Sequence, residues 1–416
     1  MKRALFVLFF LTLAFTIVPQ QVLEEAVVIN IEVPVRVFDG DRFIDNLTIN
    51  DFELLEDGVP QNIEAVYLVK KRSIERSEEN KRFAPKTMRS FYLFFEISEY
   101  TSRVGDAVNY LIQNVLFPGD QLFIVTPMKT YRLRAQALEV KSREQIVNQL
   151  KGLLRKDTEI GSSEYRDILD ELTGTAAALT ALVARNEQYA NLLENARETT
   201  EIGEPNEDNP IISVDEQLVR YEQLLFRLEN IRKMDQSQLL NFADILKDEE
   251  GQRYVFLFYE REFIPQIESR ILNQYRAMYQ NSPNILQTLS NLFDFYRRPS
   301  TVNVDLVKKR YADSSISIHF LFLSPPPRNT YGVTMMEHSE DVYSVFKEMA
   351  QATGGFSDTS ARADILFQKA LTASENYYLL YYTPSEYKED GEFNRIEVRL
   401  KNNDLRVVHR LGYFSK

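Results

Sequence analysis

The stretch FYLFFEISEY, residues 91–100, decides the fold prediction. Its first five residues, Phe91 to Phe95, are continuously apolar, as strands that are buried on both faces of a parallel sheet are. The residues that follow, Glu96 to Tyr100, are mostly polar, so they would form the loop at the carboxyl end of that strand. The stretch therefore predicts a buried central strand that leads directly into a polar loop.

Further apolar runs on either side repeat this pattern. Phe117 to Asp120 predicts a turn into a strand over Gln121 to Thr126, and Thr130 to Arg134 predicts an antiparallel edge strand. The runs YVFLFY, Tyr254 to Tyr259, and ISIHFLFL, Ile316 to Leu323, predict two more strands, each after a helix-like segment. This alternation predicts an α/β fold with a doubly wound, mostly parallel sheet.

A helical insertion interrupts this rhythm over residues 156–236. Its apolar residues recur at alternating steps of four and three from Ile168 to Ala196, interrupted by polar Thr175 and Asn186, which is the heptad pattern of a coiled coil. A second stripe runs from Leu218 to Leu228, after a break that contains Gly and Pro. The pattern predicts a helical hairpin, which either decorates the domain or forms an arm that binds a partner.

Both ends of the chain predict β-structure. Alternating apolar residues predict an N-terminal β segment over 27–70, and the charged residues 70–86 predict a solvated linker. The α/β domain then spans 87–375, and strands return in a C-terminal β segment over 376–416. We expect the two terminal segments to form one small β domain, because isolated hairpins are only marginally stable.

The first 21 residues predict a signal peptide. Lys2 and Arg3 precede an apolar run from Ala4 to Val18, which is shorter than the roughly 20 residues that a membrane-spanning helix needs. This pattern predicts an exported protein, periplasmic or extracellular. The alternative is that the segment stays uncleaved, and membrane contact would then be made through that segment alone.

Composition excludes several classes of function. The formal charge is −12, which disfavours nucleic acid as a partner because phosphate binding relies on clustered Lys and Arg. The chain has no Cys, so disulfides, thiol catalysis and Cys-based zinc sites are excluded. Its three His residues, His319, His338 and His409, are widely spaced, which disfavours a His-rich metal site.

Several short motifs together resemble one family. In chain order, and over nearly all of the chain after the signal segment, the chain resembles the VWFA-related proteins of Acidobacteria and neighbouring bacteria, which contain a von Willebrand factor type A-like domain. The matching pieces are VPVRVFD (33–39), LTINDFELLEDGVPQNI (47–63), FPGDQLFIVT (117–126), MAQATGGFSDT (349–359), ENYYLLYYTP (375–384), GEFNRIEVRL (391–400) and VVHRLGYF (407–414). The helical insertion lies outside the resemblance.

The resemblance implies a metal-ion-dependent adhesion site at the carboxyl ends of the strands. The family pattern is Asp-x-Ser-x-Ser in the first loop, a Thr in a later loop and an Asp after the fourth strand. Here the first loop carries Glu96, Ser98 and Tyr100, and Glu260 stands where the later Asp is expected. The Thr is either Thr158 or Thr175. Because Mg²⁺ requires near-ideal octahedral geometry, these departures predict a degenerate site with no bound metal and no cofactor.

Three functional hypotheses follow. The first is a non-enzymatic protein-interaction or adhesion module of the bacterial cell envelope, independent of metal and with a protein partner of unknown identity. The second is an Mg²⁺-dependent adhesion domain that uses oxygens of Glu96, Ser98 and Glu260. The third is a hydrolase that uses the carboxylates of Glu96, Glu99 and Glu260, which would require an adjoining cleft and a raised pKa on one of them. The first is the prediction, and catalysis is not expected.

Overall fold

The computed structural model describes residues 29–196, 214–232, 236–247, 251–295, 302–314, 316–326, 330, 333–401 and 405–415. The predicted signal segment, residues 1–21, lies outside the described residues, as does the break between the two predicted helical stripes at residues 201–210. No helix in the described ranges is long and apolar enough to cross a membrane.

The elements are numbered in chain order. The strands are β1 (Ile31–Asp39), β2 (Arg42–Phe43), β3 (Phe52–Glu56), β4 (Val59–Gln61), β5 (Ile63–Lys70), β6 (Ser73–Glu79), β7 (Arg89–Glu96), β8 (Gln121–Val125), β9 (Thr130–Leu133), β10 (Gln252–Glu260), β11 (Phe263–Ile267), β12 (Ile316–Leu323), β13 (Val333–Glu337), β14 (Ser357–Ser360), β15 (Asn376–Tyr382), β16 (Phe393–Leu400), β17 (Arg406–His409) and β18 (Gly412–Phe414). The helices are α1 (Ser102–Tyr110), α2 (Ala135–Val140), α3 (Arg143–Gly161), α4 (Ser163–Ala196), α5 (Val214–Arg232), α6 (Gln236–Lys247), α7 (Ser269–Met278), α8 (Pro283–Phe295), α9 (Val304–Asp313), α10 (Glu340–Ala352) and α11 (Ala363–Glu375).

The predicted fold class is corrected by the strand pairings. In three of the four sheets formed by the described strands every pairing is antiparallel, and the remaining sheet is mixed. A doubly wound, mostly parallel sheet is therefore the wrong class for this chain. The apolar runs that suggested it contribute only part of the β-structure, because most of the other strands alternate in burial and pair as antiparallel neighbours.

Strands from both ends of the chain pair with each other. One sheet has the order β17-β1-β15-β5-β6, with β2 paired to β1, and another has the order β18-β16-β3-β4. In the first, Val35 lies opposite Tyr378 on one side and His409 on the other. β15 is central in this sheet, and its Tyr377, Tyr378 and Tyr382 are fully buried. The apolar faces of the two sheets share a core of N- and C-terminal residues.

The charged segment predicted as a linker contains a strand. β6 pairs with β5 in antiparallel register, from Lys70 opposite Ser73 to Ala65 opposite Glu79. Most of its side chains are exposed, because it lies at the edge of the sheet. Charged residues are a common way to protect such an edge from pairing with another chain, and they hid this strand from the hydrophobic pattern.

The mixed sheet places the candidate site. Its order is β14-β12-β10-β7-β8-β9, with parallel neighbours except at the antiparallel edge pair β8 and β9. The chain runs from β7 to β8 on one side and later returns as β10 on the other side of β7. In this register Glu96 lies opposite Tyr259, so the loops after β7 and β10 meet at one edge. In parallel sheets, such points of reversal at the carboxyl ends of strands are where ligands bind.

Local capping explains where several helices begin. The Thr101 hydroxyl accepts from the Val104 amide at the start of α1. Ser142 and Gln145 form a reciprocal capping box at the start of α3. The Asn303 side chain accepts from the Leu306 amide and begins α9.

The predicted helical insertion has a different extent and packing. Its predicted boundary at Lys156 falls inside α3, which continues to Gly161, so the chain leaves the mixed sheet with α4. α4 and α5 contact each other and also pack on β11, α7 and α8 around a second core. The Tyr221 hydroxyl donates to the Pro265 carbonyl at 2.5 Å, and the Tyr275 hydroxyl donates to the Leu179 carbonyl at 2.7 Å. These two helices are thus part of a shared core, and removing them would expose the apolar faces of α7 and α8.

Candidate functional site

The loops after β7 and β10 are joined by two hydrogen bonds. The backbone amide of Ser98 donates to Oε2 of Glu260 at 2.6 Å, and the Ser98 hydroxyl donates to the same oxygen at 2.8 Å. The Glu99 amide also bonds to the Glu260 carboxylate. Burial raises the pKa of Glu260, and the donors from Ser98 oppose that rise. The carboxylate of Glu260 therefore fixes the position of the Ser98 loop.

Glu96 differs from Glu260 because its carboxylate has no hydrogen bond or ion pair among the described residues. Its side chain is exposed to solvent and lies on the wall of a cavity. Desolvation by the surrounding protein raises the pKa of Glu96. The site thus contains one satisfied carboxylate and one that lacks a cationic or hydrogen-bonding partner in the described chain.

Tyr100 contacts a different part of the protein. Its hydroxyl lies so close to Gly105 that a Cβ atom there would be 2.2 Å from it. The guanidinium of Arg155 lies 5.2 Å from the centre of its ring, in a cation–π contact. Burial raises the pKa of Tyr100. Its side chain therefore packs between α1 and α3, and it does not line the cavity on which Glu96, Ser98 and Glu260 lie.

The two candidate threonines lie in different places. Thr158 is fully buried in α3, and its hydroxyl has no hydrogen-bond partner in the described chain. The Thr175 hydroxyl donates to the Glu171 carbonyl of its own helix at 2.8 Å. Thr175 follows the start of α4 by 12 residues, or roughly 18 Å along a helix. Neither threonine lines the cavity.

Arg166 and Ser162, which the sequence analysis did not select, hold the loop that contains Ser98 in place. Arg166, in the first turn of α4, donates to the Ser98 carbonyl at 2.6 Å and to the Glu159 carbonyl at 2.5 Å. The Ser162 hydroxyl donates to the Ile97 carbonyl at 3.0 Å. The contacts of Arg166 with Ser98 and of Ser162 with Ile97 each join positions more than 60 residues apart, so no local motif indicates them.

A cavity of about 740 Å³ adjoins these loops. It lies over one face of the mixed sheet and is walled by apolar side chains of β7, β10 and β12 and of helices α6 and α10, among them Phe94, Val255, Leu257, Ile318, Phe242 and Phe346. Glu96, Ser98 and Glu260 lie at its polar end. This volume is within the range of sites that bind small molecules or the side chains of a partner, roughly 300–1,000 Å³. The cavity is called the strand-end cavity below.

The residues present do not fit the magnesium site that the resemblance implies. The Ser98 hydroxyl and one oxygen of Glu260 satisfy each other, so two of the three expected ligands are already bonded. Tyr100, at the position of the second Ser, lies outside the cavity lining. Among the residues described, no group of three or more His, Cys, Asp or Glu side chains has the arrangement to hold a metal ion. We therefore keep the metal-independent site as the prediction to be tested.

Thermal melting tests it directly. Because this donor set is satisfied internally, millimolar Mg²⁺ or Mn²⁺ and an excess of EDTA are expected to give coincident melting curves. A ligand whose concentration equals its dissociation constant stabilises a folded protein by only about 0.4 kcal/mol, so weak metal binding would hardly shift the melting curve. An upshift of several degrees with either metal, lost in Glu260→Gln, would show that the native protein binds the ion here.

Comparison with known proteins adds little. No family model matches the chain, and no curated protein matches it. Among solved structures, the human COPII-coat protein Sec24c is similar, with a TM-score of 0.28 and 8% identity over 80% of this chain and 44% of that chain. The chain thus spans less than half of that protein's length, and a similarity this low supports no conclusion about fold or function. The resemblance to VWFA-related proteins stays a prediction.

Proposed function

We propose that this protein is a non-enzymatic interaction module of the cell envelope that binds another protein at the strand-end cavity without a metal ion. The observation that carries the proposal is the cavity itself, an apolar space at the point where the loops after β7 and β10 meet. Interfaces gain most of their affinity from a few apolar anchors buried in such pockets.

The margin of the cavity supports a protein partner over a small molecule. Ile231 lines the cavity and is 44% exposed, while Ile160 and Met128, each next to a lining residue, are 50% and 49% exposed. A small ligand inside the cavity would leave these side chains in water. A protein partner would cover them, and exposed apolar residues beside a pocket are typical of protein interfaces.

A carboxylate-based hydrolase is the second candidate, because two of its requirements are present. The cavity adjoins Glu96 and Glu260, and burial raises the pKa of both carboxyl groups. Against it, Glu260 accepts hydrogen bonds from Ser98 and therefore holds a loop, whereas an acid–base pair needs two groups free to exchange protons. Turnover of chromogenic glycosides or esters that Glu96→Gln abolishes would favour the hydrolase, provided that Glu397→Gln, which lies outside the cavity lining, preserves it.

Export belongs to the same proposal and is supported by the sequence alone, through Lys2, Arg3 and the apolar run that follows. Fractionation of the native cells followed by N-terminal sequencing tests it. We expect the protein in the envelope or the medium, with a new N-terminus near residue 21. Recovery in the cytoplasm with Met1 retained would contradict it.

The proposed binding site is tested by filling the cavity. Leu239→Trp places a large ring in the strand-end cavity, whereas Ile245→Trp adds the same ring to the same helix at a position that is 66% exposed. We expect Leu239→Trp to lose the proteins that the wild type captures from envelope extracts and Ile245→Trp to keep them. Melting curves confirm that both variants fold. Equal capture by a folded Leu239→Trp variant would place binding elsewhere.

A further inference from the structure

The charge of the strand-end cavity indicates which partners it can accept. Among the residues that the structure describes, its lining contains three acidic residues, Glu96, Glu260 and Glu262, and one basic residue, Arg261. Arg261 is already paired, since its Nε donates to Glu337 at 2.9 Å and a second nitrogen contacts the other oxygen of that carboxylate. The polar end of the cavity therefore has a negative charge that Arg261 does not neutralise.

Glu96 is the residue whose partner is missing within the described chain. Glu260 is bonded to Ser98, and Glu262 accepts from the Tyr259 hydroxyl at 2.7 Å. The Glu96 carboxylate has no such contact among the described residues and is exposed on the cavity wall. An unpaired carboxylate that lines a cavity gains a charge-assisted hydrogen bond when a partner places a cation against it.

We infer that the partner segment inserts an apolar side chain into the strand-end cavity and places an adjacent Lys or Arg against Glu96. This inference rests on the proposed function and specifies the chemistry of its partner. The apolar walls accept the anchor, Glu96 accepts the cation, and Ile160 and Ile231 are covered by the rest of the segment.

A site without a metal ion has the opposite charge preference to a metal-dependent site. A bound Mg²⁺ with an open coordination position attracts a carboxylate from the partner. Without that positive charge, the same loop positions repel carboxylates and attract cations, because the sign of the local potential is set by the glutamates.

The test uses a phage-displayed library of random 12-residue peptides, panned on the full chain with EDTA present. Selected peptides are expected to combine Lys or Arg with neighbouring Phe, Leu or Ile. Their affinity should fall about tenfold in Glu96→Gln, which corresponds to about 1.4 kcal/mol. Glu99→Gln removes the same charge from the same loop. Both side chains are exposed, but Glu99 does not line the cavity, so its replacement should change affinity less than about threefold.

The outcomes separate the inference from the proposed function. Selected peptides that are acidic, or neutral and equally well bound by Glu96→Gln, would overturn the basic partner, while their loss in Leu239→Trp would still support binding at the cavity. A library that yields no peptide above background would also overturn it. The proposed function is then judged by the envelope capture with Leu239→Trp and Ile245→Trp, which does not depend on the library.

Discussion

Replacing Asp120 with alanine is expected to lower the free energy of unfolding by about 3–5 kcal/mol, because it leaves a buried cation without its closest carboxylate. Arg89, at the start of β7, and Asp120, before β8, are both almost completely buried. Nη2 of Arg89 donates to one oxygen of Asp120 at 2.5 Å, and Nε donates to the other at 3.3 Å. Asp120 also accepts from the Phe117 amide at 2.9 Å, so it holds the turn into β8.

Chemical denaturation of Asp120→Ala measures this effect. The matched control is Glu397→Ala, which removes one partner of the exposed pair between Glu397 and Arg399. Exposed ion pairs contribute little to stability, so the control should have a free energy of unfolding close to that of the wild type. If Asp120→Ala also unfolds within about 1 kcal/mol of the wild type, the buried pair is not important for the stability of the sheet.

Replacing Gly355 with alanine is expected to cost about 3 kcal/mol or more, since there is no space for a side chain. A Cβ atom at this position would lie 1.6 Å from the backbone oxygen of Ile318 in β12. That oxygen belongs to the sheet and cannot move without separating β12 from β14, whose register begins at Phe320 and Ser357. Glycine is therefore required at position 355, because its backbone approaches that of Ile318 too closely for a side chain.

The control is a glycine in open space. A Cβ atom at Gly152, in the interior of α3, would meet nothing within 4 Å. Gly152→Ala should stabilise the protein by about 0.5–1 kcal/mol, because alanine is the better helix former. Similar melting temperatures for Gly355→Ala and Gly152→Ala would contradict the tight approach at Gly355.

The sequence predicted the buried strands well and the pairing of the whole chain poorly. The run ISIHFLFL coincides with β12, and FYLFF lies within β7. These strands are buried on both faces, so their apolar runs are continuous and easy to recognise. The charged edge strand β6 has no such pattern, so its residues were predicted as a solvated linker. The parallel pattern of a few strands was extended to the whole chain, which produced the incorrect fold class.

The candidate site was predictable to the extent that it depends on strand ends. Glu96, Ser98 and Glu260 follow two apolar runs that lie side by side, and the structure brings them to one cavity. Tyr100 turns towards Gly105, which a spacing rule cannot indicate. The contact of Arg166 with Ser98 and the cavity itself depend on how the long helices α3 and α4 meet the sheet. The contact and the cavity depend on tertiary structure, so no single position of the sequence predicts them.

The most direct measurement is a calorimetric titration of the full chain, in EDTA, with a selected peptide that contains Lys and with the same peptide carrying Glu in place of that Lys. Binding of the Lys peptide without metal, with at least about tenfold lower affinity for the Glu peptide, is the expected result. If the Glu peptide binds only when Mg²⁺ replaces EDTA, and the Lys peptide binds in neither buffer, the site is a metal-dependent adhesion site, which would contradict the metal-independent acidic cavity.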